Sequence, residues 1–226
     1  MSNTEATARA VDRRRAPHTR EAILDAAEAA FVQSGYHGAS IRAISDAAGV
    51  QKALAYYHFG AKEDLFRAVV ERRADDNVAG LRAALNEALQ VRGTKQARVE
   101  ALVRAFLMPV VERATQRGPG WRNYIRLLAQ VGCLPQQQES FVVPVNERYD
   151  AVVTDYIAAL RKLLPQMQEA DVHWGFYFLQ ATVANALIET GMVDRQSDGE
   201  CQSTDLDTIV DKMTRFFSAG FLGYEP

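Results

Sequence analysis

The sequence predicts an all-α protein of 226 residues. Apolar residues recur at spacings of three and four along most of the chain, which is the pattern of a helix with one buried face. Glycine and proline separate these stretches, as they do at helix ends. We see neither the alternating pattern of a β-strand nor an internal repeat. We therefore expect a three-helix head containing a helix-turn-helix, residues 18–66, followed by an α-helical body, residues 67–226.

The chain begins with residues 1–17, which we expect to form a disordered basic tail because they include few apolar side chains. The arginines from Arg13 to Arg15 either reach a phosphate group or lie in solvent. The first helix is predicted from Thr19, with Ile23, Ala27 and Phe31 on its apolar face and Gly35 at its end.

The stretch from Ser40 to Lys62 contains two short helical patterns separated by Gly49. Ser40 can cap the first helix, and Gly49 can take the positive φ of a sharp turn. The second helix is expected to begin at Gln51 and end at Phe59. This is the layout of a helix-turn-helix, in which the second helix enters the major groove of DNA and reads bases with its first turn. Tyr57 and Phe59 are expected to face inward.

Residues 19–66 resemble the amino-terminal domain of tetracycline-repressor-type (TetR) transcriptional regulators. The most distinctive segment of this resemblance is YHFGAKEDLF. The resemblance implies phosphate contacts for His58 and Lys62, and the motif itself suggests the remaining contacts. The complete set of expected DNA-binding residues is Ser40, Arg42, Gln51, Lys52, Ala53, Leu54, Tyr56, His58 and Lys62. For Ser40 the alternative is a helix cap alone, and for Lys52 and Tyr56 it is a solvated surface.

The body is expected to consist of successive helices. A helical pattern from Lys62 continues towards Leu89, either unbroken or interrupted near residues 77–80. Four further boundaries are predicted: a stop at Gly93, a kink at Pro109, a turn over residues 118–120 and a loose segment over residues 134–140. The later helices are expected over residues 121–133, 144–164, 170–192 and 206–222, with a polar loop at 194–204.

The body resembles, less specifically, the fatty-acid-responsive subgroup of the same family, through WRNYIRLL, HWGFYFLQATVANALIETG and MTRFFSAGFLG. This resemblance implies a small-molecule effector, with an acyl compound as the first guess and an aromatic acid as another. Many aromatic side chains with a polar tip suit a largely apolar pocket, although at helical spacing they can equally be core. The candidate effector-binding residues are Phe106, Trp121, Tyr124, Arg126, Tyr149, Trp174, Tyr177 and Phe178.

The last two helices are expected to form a four-helix interface between two copies of the chain. The final helix has more apolar positions than one buried face needs, and a specific DNA site needs two heads. The candidate interface residues are Phe176, Leu179, Val183, Leu187, Ile209, Met213, Phe216 and Phe217. The alternative is that both apolar stripes fill the core of one chain.

Composition narrows the remaining possibilities. The net charge is −2, but residues 9–62 hold eight basic and five acidic side chains, which gives the head a small positive excess. The scattered histidines and two separated cysteines predict no metal site, no cofactor and two free thiols. No secretory signal or membrane span is expected, so we predict a cytoplasmic location. We predict a non-enzymatic regulator with double-stranded DNA and a small effector as partners; a ligand-blind DNA binder and a helical enzyme with a DNA-binding head remain alternatives.

Overall fold

The computed structural model describes residues 3–132, 143–189 and 191–224, and of residues 3–17 and 143–146 it describes the backbone alone. Those residues contain helices and no β-strand, which confirms the all-α prediction. The helices are α1 (Asn3–Gly38), α2 (Ile41–Ala47), α3 (Lys52–Phe59), α4 (Lys62–Glu71), α5 (Ala74–Leu89), α6 (Lys95–Gln116), α7 (Pro119–Gly132), α8 (Val143–Leu163), α9 (Glu169–Ile188), α10 (Met192–Gln196) and α11 (Leu206–Gly223). The chain divides into an amino-terminal unit, Met1–Arg72, and a carboxy-terminal unit, Arg73–Pro226.

In the amino-terminal unit, α1 packs against α2, α3 and α4. The backbone of α1 is helical from Asn3, where the sequence had predicted a disordered tail and a helix start at Thr19. Gly35 interrupts this helix with a φ of 68°, so the predicted break lies where glycine is needed. The core of the unit contains buried apolar side chains from all four helices: Ile23, Leu24, Phe31, Ile44, Ala55, Phe59, Leu65, Phe66 and Val69.

The turn between α2 and α3 is a Schellman motif centred on Gly49. The amide of Gly49 donates to the carbonyl of Asp46 at 3.2 Å, and the amide of Val50 donates to the carbonyl of Ser45 at 3.0 Å. Gly49 has a φ of 67°, as the motif requires at this position. At the other end of α2, Ser40 Oγ accepts a hydrogen bond of 3.1 Å from the amide of Ala43, which confirms the predicted cap.

The connection between α4 and α5 lies at Arg72 and Arg73, earlier than the break that the sequence suggested near residues 77–80. Arg72 is held within the amino-terminal unit by ion pairs to two carboxylates of α1, Glu21 at 2.8 Å and Asp25 at 2.7 Å. The pattern of apolar residues runs through this junction without interruption, which is why the sequence did not locate it. The predicted boundary after residue 66 falls within α4, before the division at Arg72.

In the carboxy-terminal unit, α6 is the central helix and packs against α5, α7, α8 and α11. The hydroxyl of Tyr156, on α8, lies 2.8 Å from the carbonyl oxygen of Leu81 and 2.9 Å from that of Ala105, so one buried proton is shared between α5 and α6. The helix α6 continues through Pro109, and Thr94 caps its start. Gly93 precedes this cap, in agreement with the predicted stop.

Some expected boundaries differ from the structure. Pro119 starts α7 instead of forming a turn, because proline is suited to the first position of a helix. The short α10 occupies part of the predicted loop 194–204. The predicted loose segment 134–140 and Cys133 lie outside the described residues, whereas Cys201 is exposed. No helix in the described ranges is long and apolar enough to cross a membrane.

We expect Gly49→Ala to lower the free energy of unfolding of the protein by about 1–2 kcal/mol, because a Cβ at positive φ approaches the following carbonyl. No neighbouring atom lies within 4 Å of that Cβ, so crowding by other residues adds nothing. Chemical denaturation measures the change.

The matched control is Gly49→Asn, since asparagine tolerates the left-handed region better than alanine. The control should be less destabilised than the alanine variant. Equal losses for both variants would show that backbone strain at Gly49 is not the cause.

Candidate nucleic-acid interface

The first turn of α3 presents an exposed surface. Gln51, Lys52, Ala53 and Leu54 are all exposed, and α3 has no acidic residue in its first turn. The Lys52 Nζ lies 5.3 Å from the centre of the Tyr56 ring, one turn further along the same face. The structure therefore brings together on one helix face a cation, a phenol hydroxyl and small apolar groups, which are the groups that bind base edges and phosphates.

The inner face of α3 is narrow and is formed by Ala55 and Phe59, both buried. Tyr57 is 82% exposed, so the expectation that it faces inward is wrong. Tyr57 lies two positions from both Ala55 and Phe59, which places it on the opposite side of a helix with 3.6 residues per turn. Tyr57 thus joins the exposed surface, and helical spacing from Phe59 would have indicated this.

The other expected DNA-binding residues border this surface. Ser40, which caps α2, and Arg42, on α2, are exposed, and Arg42 Nε lies 4.0 Å from a carboxylate oxygen of Asp46. His58 is half-buried, and so is Lys62, whose Nζ lies 4.5 Å from the centre of the Tyr36 ring. Cations outnumber carboxylates on the exposed residues of α2 and α3, which suits contact with a polyanion.

The candidate effector-binding residues do not form one group. Phe106 and Tyr124 are buried in the core, where Phe106 packs edge-on against Tyr156 and Phe176. Arg126 forms an ion pair with Glu189, with 3.3 Å between Nη2 and Oε2. Arg122 pairs with the same carboxylate, with 3.0 Å between Nη2 and Oε1. Glu189 caps the end of α9 in the left-handed conformation, so these arginines stabilise a helix end.

The other three aromatic candidates, Trp174, Tyr177 and Phe178, lie on the outer face of α9. Their rings contact one another at centroid distances of 5.8 to 6.0 Å. They therefore lie on the surface of the carboxy-terminal unit and outside its core. Both faces of α9 are apolar, so periodicity alone could not show which face is inside.

The same ambiguity explains the candidate interface residues, most of which need correction. Phe176, Leu179, Val183, Leu187, Met213 and Phe217 are buried in the core of their own chain, and Ile209 is partly buried against it. They are therefore unavailable to a second copy. Phe216, at 75% exposed, is the one member of that set on the surface.

Of the remaining candidates, Trp121 lies among three arginines that the sequence analysis did not single out, and Tyr149 is influenced by one of them, Arg113. The guanidinium groups of Arg73, Arg113 and Arg117 lie 5.1, 5.4 and 5.4 Å from the Trp121 ring. Burial raises the pKa of the half-buried Tyr149 hydroxyl, and the charge of Arg113 acts in the opposite direction. Arg113 lies seven residues after Phe106 and so continues the apolar stripe of α6, which was the available signal. Within the described ranges, no group of histidine, cysteine or acidic residues could hold a metal ion.

Comparison with known proteins matches each of the two units to a protein-family model. Residues 23–69 match the family model described as bacterial regulatory proteins, tetR family, and residues 104–220 match the one described as tetracyclin repressor-like, C-terminal domain. The second match covers more than half of the chain.

Individual relatives match over shorter stretches. The transcriptional activator FasR of Mycolicibacterium smegmatis is 43% identical over 79 residues, which is 35% of this chain and 36% of that protein. The transcriptional repressor AcnR of Corynebacterium glutamicum is 37% identical over 57 residues, which is 25% of this chain and 30% of that protein. The matches thus span about a third of the length of these curated relatives.

Solved structures agree in fold. One neighbour is described as the fatty acid degradation regulator FadR from Bacillus halodurans, with a TM-score of 0.53 and 21% identity, covering 89% of this chain and 95% of that one. At this identity the likeness concerns the fold alone. Together with the two family models, these observations show that the chain belongs to the TetR family of bacterial transcriptional regulators.

Proposed function

We propose that this protein is a cytoplasmic, ligand-responsive repressor that binds a palindromic DNA operator as a homodimer and is released by a small, largely apolar effector. The observation that best supports the proposal is the exposed first turn of α3. This helix follows directly after the Schellman turn, in the part of the chain that matches the TetR family model. FasR is named an activator and AcnR a repressor, so family membership alone allows both directions of regulation.

On DNA, the residues of α3 divide into two roles. Lys52 donates to guanine O6 and N7, and Ala53 or Leu54 contacts a thymine methyl group. Tyr56, His58 and Lys62 contact phosphates, and the exposed hydroxyl of Tyr57 is available for the same purpose. Ser40 and the first amides of α2 bind a further phosphate at the electropositive end of that helix.

The proposed dimer surface differs from the residues that the sequence suggested. It is formed by Trp174, Tyr177 and Phe178 of α9 and by Phe216 of α11. The two helices pack closely at Gly175, where a Cβ would lie 2.6 Å from the ring of Phe221, and this contact holds them side by side. Exposed aromatic clusters of this kind are characteristic of protein interfaces. Two copies of α9 and α11 then form a four-helix interface.

The proposed release mechanism depends on the distance between two recognition helices. In a dimer the two copies of α3 must be separated by about 34 Å, one turn of DNA, to bind both half-sites. An effector that binds better to a state with another separation lowers DNA affinity by its preference for that state. The chain between the units, Arg72–Arg73, is the covalent route for this coupling: Arg72 is paired with α1 and Arg73 lies over Trp121.

Two alternatives rank below this proposal. A ligand-blind DNA binder would keep the same operator affinity with any added small molecule. An enzyme with a DNA-binding head would need positioned acid, base or nucleophile groups, and the curated relatives reported above are named as regulators.

We expect Lys52→Ala to weaken binding to the preferred operator by about 1–3 kcal/mol and to relax the choice of base at one position in each half-site. Lys62→Ala should instead weaken all sequences equally and reduce the slope of log affinity against log salt by about 0.9. Fluorescence anisotropy with operator variants measures both effects.

The matched control for charge is Lys162→Ala, an exposed lysine near the end of α8. It should leave affinity and base preference unchanged. If Lys52→Ala behaves like this control, α3 is not the base-reading helix.

We expect the wild-type protein to be a dimer at micromolar concentration, and Phe216→Lys together with Tyr177→Lys to make it a monomer. Loss of central aromatic contacts at an interface costs about 2 kcal/mol or more, and the introduced like charges repel across a two-fold axis. Light scattering measures the mass.

The control is Leu89→Lys, at another exposed apolar position in the same unit. That variant should remain a dimer. A monomeric wild-type protein, or a dimer that tolerates both lysines, would contradict the proposed surface.

A further inference from the structure

Arg113 of α6 is a buried cation whose hydrogen bonds go to backbone carbonyls. The side chain is 6% exposed. Nη1 donates to the carbonyl oxygen of Pro109 at 2.8 Å, and Nη2 donates to that of Asp76, on α5, at 2.9 Å. Among the described residues, Arg113 Nε has no hydrogen-bond partner although it is buried. The Nε–H of the guanidinium is therefore an unused donor.

The fold makes room for this guanidinium. Gly80 on α5 faces it, and a Cβ at that position would lie 2.7 Å from Arg113 Cζ, so any other residue there would require the guanidinium to move. Burying a cation against a helix backbone lowers the stability of the protein unless an anion or hydrogen bonds compensate for the lost hydration.

Asn77 lies one helical turn before Gly80 on α5. Its side chain is 1% exposed, and neither Oδ1 nor Nδ2 has a hydrogen-bond partner among the described residues. An unsatisfied buried amide destabilises a protein by roughly 1–3 kcal/mol. The guanidinium of Arg113, from α6, and the amide of Asn77 therefore both lie at the segment of α5 between Asp76 and Gly80, and both have unused polar atoms.

Arg113, unlike Arg117 and Arg148, has no acidic partner among the described residues. Arg117 is paired with the carboxylate of Asp76 at 3.0 Å, and Arg148 with that of Asp75 at 3.0 Å. In the described part of the chain, no carboxylate lies within 4.0 Å of Arg113. Burial lowers the pKa of Arg113, and the charge of Arg117 lowers it further. A single negative charge would balance the charge of Arg113, whereas a doubly charged phosphate would exceed it.

We propose that Arg113 and Asn77 bind the carboxylate of a monocarboxylic effector, with its apolar part against Trp121. A planar carboxylate accepts two parallel hydrogen bonds from the free edge of a guanidinium. The Asn77 Nδ2 supplies a further donor. This inference rests on the proposed function, since it names the chemical class of the effector, and it can fail separately from it.

The test is binding to the full-length, DNA-free protein. The probes are octanoate, palmitate and benzoate, each compared with its uncharged alcohol, and octyl phosphate as the doubly charged analogue. Isothermal titration calorimetry gives the affinity, and the thermal unfolding midpoint gives the stabilisation. We expect at least one carboxylate to bind about ten- to a hundredfold more tightly than its alcohol, the range for hydrogen bonds to a charged group.

Two variants assign the binding to this site. Arg113→Met should reduce carboxylate affinity by about ten- to a hundredfold and leave the binding of the alcohol unchanged. Asn77→Asp has nearly the same shape and places a carboxylate beside Arg113, so it should raise the unfolding midpoint of the ligand-free protein and weaken carboxylate binding. The matched control is Arg98→Met, an exposed arginine on the same helix, which should change neither property.

Several results would overturn the inference: no probe binds, the alcohols bind as well as the acids, octyl phosphate is preferred, or carboxylate binding survives in Asn77→Asp. The last of these remains informative even if Arg113→Met fails to fold.

Adding operator DNA separates the two proposals. Carboxylate binding that requires Arg113 but leaves DNA affinity unchanged would support this site and contradict the effector part of the proposed function. Release of DNA by an uncharged ligand in both variants would support the proposed function and contradict this site.

Discussion

The Schellman turn at Gly49 is the local constraint on which the DNA-binding surface depends. Its two backbone hydrogen bonds end α2 and fix the direction in which the chain enters α3. The buried residues of α3 are Ala55 and Phe59, so packing against the core contributes little to fixing the orientation of this short helix. The turn therefore determines which side chains of α3 point outward, and the exposure of residues 51–54, Tyr56 and Tyr57 follows from it.

The head was more predictable than the carboxy-terminal unit because its signals are local. A capping serine, a glycine at positive φ and a short apolar face each specify backbone geometry within a few residues. The error at Tyr57 came from treating an aromatic residue as core, although its position relative to Phe59 places it outside. The junction at Arg72 was missed because the apolar spacing continues through it, and the ion pairs of Arg72 to Glu21 and Asp25, which lie far away in the sequence, give no local signal.

In the carboxy-terminal unit, the sequence predicted the helices well but not their inward faces. The helix α9 is apolar on both sides, and only tertiary packing shows that Phe176 is inside and Trp174, 58% exposed, is outside. The cluster at Arg113 could not be found from composition, since its character depends on a glycine one helix away and on backbone carbonyls as acceptors. The signal in the sequence was limited to two polar residues on otherwise apolar helix faces, Arg113 on α6 and Asn77 on α5. The outer face of α9 and the cluster at Arg113 have one property in common. Each has groups that make no complementary contact within the chain: exposed aromatic rings on α9 and unpaired polar atoms at Arg113 and Asn77.

The central claim is that α3 reads DNA in a symmetric dimer, and selection of bound fragments from genomic DNA tests it most directly. The account predicts enrichment of a palindromic sequence whose half-site centres lie one helical turn apart, about 34 Å, or a multiple of that distance. The enriched sequence should be lost when the selection is repeated with Lys52→Ala. Absence of any enriched sequence, or enrichment of one without two-fold symmetry, would contradict the account.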